Sequence, residues 1–178
     1  MSQASIELVK EFFILNDFFV LKKEDILLVK NTGDVKEDKK SGFVLSGAQI
    51  TGAIKNAVVR MVSWHTMKFT PIVLSRFPDI FDFLKAGPVE EYRKFFRGED
   101  FLKVLVLPSL PASEGLREES IRIMKEKGID RLVMFPSVIA GLIEKIEPRH
   151  VYLSSVNEVL RVLKFYKFFA EEEQNLPF

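Results

Sequence analysis

The sequence predicts an α/β protein built on a mixed sheet of about five to six strands. Three observations carry that class. A helical apolar stripe is followed at once by two short apolar runs joined by a charged turn, the order of a helix and a hairpin. The run Ala57 to Trp64 (Ala-Val-Val-Arg-Met-Val-Ser-Trp) is β-branched and aromatic, with apolar residues on both alternating faces, as a central strand requires. From Phe101 to Leu153, strand, helix and strand recur at the spacing of βαβ units, which predicts parallel pairing with crossover connections.

The bulk numbers fit one domain. A chain of 178 residues, 47% hydrophobic and 29% charged, is long enough to bury a core without staples. Its 26 Lys and Arg against 25 Asp and Glu give no global field toward nucleic acid or membrane, although a local basic face remains open. The absence of cysteine excludes disulfides, thiol nucleophiles and thiolate metal sites. The first five residues carry no basic side chain, and Glu7, Lys10 and Glu11 break the apolar run that follows, so no secretory leader is expected. No apolar stretch reaches the roughly 20 residues of a spanning helix. A cytoplasmic chain is the expectation.

Ser2 or Ser5 can cap a first helix with Leu8, Phe12 and Leu15 on its apolar face and Asn16-Asp17 at its end. Phe18–Leu21 and Ile26–Val29 form the hairpin around Lys22-Lys23-Glu24-Asp25. Residues 31–42 read as a mobile, solvated, charged loop, Phe43–Leu45 as a short extra strand, and Ala48–Ile54 as a turn. After the central strand, Thr70-Pro71 opens a helix that bends at Pro78 and ends at Gly87-Pro88; Val89–Phe96 is the next helix. Phe101–Leu107 is a buried strand. Glu114–Lys127 is a helix closed by Gly128, with Ile129 folding back over Met124. Arg131–Phe135 is a strand, Ser137 caps a helix to about Glu147, and Val151–Leu153 is a last strand. Ser155 with Glu158 matches a capping box opening the final helix, and residues 171–178 form an acidic tail expected to fray.

The order helix, hairpin, third strand, helix, fourth strand, helix, fifth strand resembles the restriction-endonuclease-like fold, the PD-(D/E)xK nuclease superfamily, over Ser5 to Phe135. The resemblance implies a three-layer α/β/α architecture and a Mg²⁺ site. It would place an Asp at the start of the second strand, similar to Asp25 here, and a Glu in the first helix, similar to Glu7. The third strand should then offer an acid and a lysine two residues apart, on one face, holding the metal and its water. This chain departs from that pattern. One face of Ala57–Trp64 reads Ala57, Val59, Met61, Ser63 and the other Val58, Arg60, Val62, Trp64, with no carboxylate on either. The expected protein is therefore a member without a working metal site, serving nucleic-acid binding or assembly, with cofactor none or Mg.

Two other functions stay open on the residues. A nuclease with a migrated site would use Glu7, Asp25 and Lys68, with Asp25 as metal ligand, although a charged hairpin turn explains Asp25 more simply. A binder of phosphorylated metabolites or nucleotides would use the C-terminal edge of the parallel strands, around Ser109, Ser113, Ser137 and Ser155, where helix capping is the plainer account. Trp64 and His65 read as packing at a strand end. In the final helix, Arg161, Lys164 and Lys167 lie among aromatics and suit a phosphate backbone; an amphipathic helix with a cationic polar face is the competing reading. The apolar arc of Ser155–Phe169 exceeds the stripe of about 100° that one core contact needs. It predicts a homodimer through that helix.

Overall fold

The computed structural model describes residues 3–33 and 42–169. The expected mobile loop falls largely, and the frayed tail wholly, outside the described residues, as does Ser2. Helix α1 (Gln3–Leu15) carries Ile6, Val9, Phe12 and Phe13 on its buried face. Asn16 closes it by donating its side-chain amide to the Phe12 carbonyl, and Asp17 takes the left-handed conformation (φ 64°). Ser5 is inside the helix and buried, so it is no cap.

The chain turns into β1 (Phe18–Lys23) and β2 (Ile26–Asn31), an antiparallel hairpin whose first loop residue, Glu24, sits at φ 55°. The two-residue β3 (Val44–Leu45) follows. Residues expected to turn form helix α2 (Gly47–Ala53), where the Ser46 backbone N–H donates to the Gln49 side chain at 3.1 Å and Ile50 and Ala53 are fully buried. Strand β4 (Asn56–Met61) is shorter than expected at its far end. It is apolar on both faces because both are covered.

Thr70 accepts from the Val73 N–H to open α3 (Pro71–Arg76), and Pro78 ends it in favour of a 3-10 helix over Pro78–Leu84. Gly87-Pro88 does not terminate that segment; both lie in the first turn of α4 (Ala86–Phe95), where a missing proline N–H costs nothing. Then come β5 (Leu102–Leu107), α5 (Glu114–Glu126), β6 (Arg131–Met134), α6 (Phe135–Lys145) and α7 (Ser155–Phe165). Gly128 at φ 95° lets Ile129 donate back to the Met124 carbonyl, as read from the sequence.

Three expectations for the last third fail. Val151–Leu153 is no strand: Val151 and Leu153 are exposed, and Tyr152 is tied to Glu147 and Glu158 by hydrogen bonds. Ser155 is the first residue of α7, and Glu158 bonds Arg161 and the Tyr152 N–H, so the capping box does not form. Ser137 likewise lies within α6, whose cap position is Met134.

The six strands form one mixed sheet in the order β1-β2-β4-β5-β6-β3. The first two pairings are antiparallel and the other three parallel. Helices flank both faces. On one, Leu27, Val29, Ala57 and Val59 pack under α1, α2 and α6; on the other, Leu28, Val58, Leu105 and Leu107 pack under α3, the 3-10 helix, α4 and α5. Among the described residues no helix is long and apolar enough to cross a membrane.

The N-terminal ends of β4 and β5 are tied by one carboxylate. Glu99 accepts from Lys30 at 2.7 Å and from Asn56 at 3.1 Å, with Lys55 at 3.5 Å. The hydrogen bonds from Lys30 and Asn56 hold its carboxyl down to about 2. A folded-state value below the ordinary one contributes stability that is present above about pH 4.5 and is lost as pH falls toward about 2. Glu7, lowered chiefly by its hydrogen bond from Lys22, and Glu158, lowered chiefly by Arg161, act in the same direction. We expect the urea midpoint to fall steadily below pH 4.5, and Glu99→Gln to flatten that fall. An unchanged acid limb in Glu99→Gln would refute the assignment.

Candidate functional site

The antiparallel register sets Ile26 opposite Arg60, so the hairpin turn stands over the C-terminal end of β4. Arg60 lies between Val59 and Met61, both in the core under α1, and therefore projects to the opposite face with Val58 and Val62. There its guanidinium meets Asp25 at 3.0 Å. The side chains are 14% and 23% exposed, and the Arg60 Nε is buried with no protein partner. Tyr92 of α4 is buried in the same core, and burial raises its phenol pKa. Lys23, at the other side of the turn, pairs with Glu91 of α4.

Glu7 is held elsewhere. It sits on α1, where Lys22 approaches at 2.6 Å and Lys10 at 3.0 Å, on the sheet face away from Arg60. Lys68 is exposed in the loop beyond β4, and none of the described ion pairs involves it. The structure thus does not bring Glu7, Asp25 and Lys68 into one group. No three His, Cys, Asp or Glu side chains among the described residues are placed to hold a metal ion. A Mg²⁺ centre does not fit these residues: β4 supplies a cation where the metal needs an acid, and Asp25 is already neutralised by it.

The C-terminal edge of the parallel strands is filled by side chains. Trp64 stacks on Phe69 and meets Phe77 edge-on at 4.9 Å; on the other side the His65 ring packs on Phe135 at 4.9 Å. The Ser109 hydroxyl is spent on the Met67 carbonyl. Ser5 Oγ and His65 Nε2 lie 2.8 Å apart, a contact across 60 residues that spacing does not reveal. That distance suits an activated nucleophile. Ser5 is only 4% exposed, however, and no described carboxylate bonds the imidazole, so the contact fixes His65 against α1. A groove of about 720 Å³ runs between α1, α2 and α6, lined by Phe12, Asn16, Ser137 and Glu144 among others, and so takes in one of the four serines of that edge.

The basic residues of α7 have structural work. Arg161 forms a two-pronged bond to Glu158 and donates to the Pro148 carbonyl. Lys164 reaches the carbonyls of Ile143, Glu144 and Ile146, capping the end of α6 with a cation. Lys167 is exposed in the turn after the helix, at φ 58°. Facing inward, Asn157 donates to Glu11 at 2.7 Å, a buried polar contact joining α7 to α1. What α7 turns outward is apolar: Val159, Val162, Phe165 and Tyr166 are exposed, followed by Phe168.

Comparison with family models, with curated proteins and with solved structures finds no match to the chain.

Proposed function

We propose that the chain is a restriction-endonuclease-like domain without a metal centre, acting as an assembly scaffold. The observation that carries this reading is the Asp25–Arg60 ion pair. The hairpin, β4 and β5 share one sheet, as the resemblance requires, and the acid at the start of β2 faces an arginine in place of a metal ligand. A guanidinium held against the motif's acid at the start of β2 supplies internally the charge that a divalent ion would bring, and a second cation there would meet repulsion. The assembly role is favoured over nucleic-acid binding because Arg161 and Lys164 are engaged within the chain while the face beside them is apolar. The metabolite reading is less favoured because aromatic side chains pack over the edge beyond β4 and the Ser109 hydroxyl is bonded to the Met67 carbonyl.

Incubation with plasmid and single-stranded DNA in millimolar Mg²⁺ or Mn²⁺ tests the reading. The expected result is no cleavage. Cleavage that disappears in Asp25→Asn would overturn it.

A further inference from the structure

We infer that the outward face of α7 is a two-fold interface with a second copy of this chain. The inference rests on the assembly reading and names its partner. Val159, Val162 and Tyr166 recur at i, i+3 and i+7, one stripe along the helix, and Phe165 widens it at its C-terminal end. Phe165, Tyr166 and Phe168 are 57%, 67% and 74% exposed. At 150–250 Å² per aromatic side chain they alone leave roughly 300–500 Å² in water. That equals the largest apolar patch an ordinary monomer carries, about 300–600 Å². Exposed Val159 and Val162 extend it along the helix toward the roughly 800 Å² per partner of a stable interface.

Charge decides for a second copy. In a two-fold contact each surface meets itself, so an unbalanced charge on the face would repel its own counterpart. The ionic groups within the helix are balanced by the chain itself: Glu158 and Arg161 bond each other, and Lys164 is turned onto the carbonyls of α6, while the exposed Lys167 lies past the helix end, in the turn at the rim of the patch. The exposed stripe between them carries only apolar side chains and the Tyr166 hydroxyl.

Shape agrees with that choice. Beside the ridge, an apolar hollow of about 350 Å³ lies between α1 and α7, lined by Ala4, Leu8, Val156, Val159 and Leu160 with Ser155. Two antiparallel copies of α7 crossing near Val162 would bring the Phe165 end of each toward the Val156–Val159 hollow of the other. Ridge and hollow occupy opposite ends of one helix, which is the arrangement a self-complementary face needs.

The test uses the full chain, which has no cysteine, so a single introduced thiol reports one position. Sedimentation equilibrium is expected to give twice the 20.5 kDa monomer mass at micromolar concentration. Under mild oxidation Val162→Cys should form a covalent dimer at least tenfold faster than Ile72→Cys, although Ile72 on α3 is the more open of the two to solvent (72% against 38%). Phe165→Glu should weaken association at least tenfold, while Ile72→Glu should leave it unchanged. A monomeric wild type at that concentration overturns the inference. So does a dimer in which Val162→Cys links no faster than Ile72→Cys, or one that Phe165→Glu leaves intact; those two results reject this face while the assembly reading stands, whereas metal-dependent cleavage rejects the reading itself.

Discussion

Phe12→Ala is expected to lower the unfolding free energy by about 3–5 kcal/mol, the range for deleting a buried phenylalanine ring. Phe12 is 1% exposed and meets Phe13 edge-on with ring centres 5.5 Å apart. Its ring also lies against Gly141 of α6, where a Cβ would come within 2.8 Å of it. The close approach of α1 to α6 therefore depends on a large side chain on one helix and none on the other. Removing the ring leaves a cavity that two helices pinned to the sheet cannot close. The same geometry fixes the sign of Gly141→Ala. Alanine gains about 1 kcal/mol of helix propensity over glycine, but forcing a methyl into a packed ring costs about 1–3 kcal/mol. We expect a net loss, relieved when Phe12→Leu is made in the same chain. Urea denaturation decides: additive losses in the double variant would contradict the packing account.

The second large effect is an asymmetry within the ion pair. Asp25→Ala is expected to cost about 2–3 kcal/mol, somewhat below the 3–5 kcal/mol of a fully buried pair because both partners keep some contact with water. It would leave a mostly buried guanidinium whose Nε already lacks a partner. Arg60→Met keeps the packed stem and removes the charge. Asp25, in a hairpin turn and 23% exposed, can then be hydrated, so the cost should be about 1 kcal/mol. The double variant should lie near Arg60→Met alone. Equal costs for the two single changes would mean that the pair does not hold Arg60 in place.

Much of the fold was legible because its signals are local. Thr70-Pro71 and Gly128 dictate helix ends through their own backbone and side-chain chemistry, and both act as read. The alternation of Ala57–Met61 identified a strand covered on both faces. Helix α2 was missed because two glycines within seven residues suppress its propensity; burial of Ile50 and Ala53 restores it, and the Ser46-x-x-Gln49 spacing was the available signal. Val151–Leu153 was misread for the converse reason. Three residues of strand-like composition have no neighbouring strand to pair with, and nothing in their own sequence says so.

The site was less legible than the fold, for a physical reason. Asp25 and Arg60 are brought together by cross-strand register, 35 positions apart in the chain. Both residues were visible, but their partnership was not. Ser5 with His65, and Glu11 with Asn157, are hidden in the same way. The cations of α7 show the same limit: their spacing is open to a phosphate-binding row or to a plain cationic helix face, and only the structure reveals that Arg161 and Lys164 fold back on Glu158 and on the end of α6.

The central claim is that the acid of the hairpin turn is satisfied by an arginine and takes no metal. Paramagnetic broadening by Mn²⁺ in amide-correlation NMR spectra measures this most directly, because the ion bleaches signals only near where it binds. With substoichiometric Mn²⁺, the account predicts weak broadening spread over exposed acidic residues, with the amides of Asp25, Ile26 and Arg60 no more affected than the rest. Selective loss of those three signals, reversed by excess Mg²⁺, would place a divalent ion on Asp25 and contradict it.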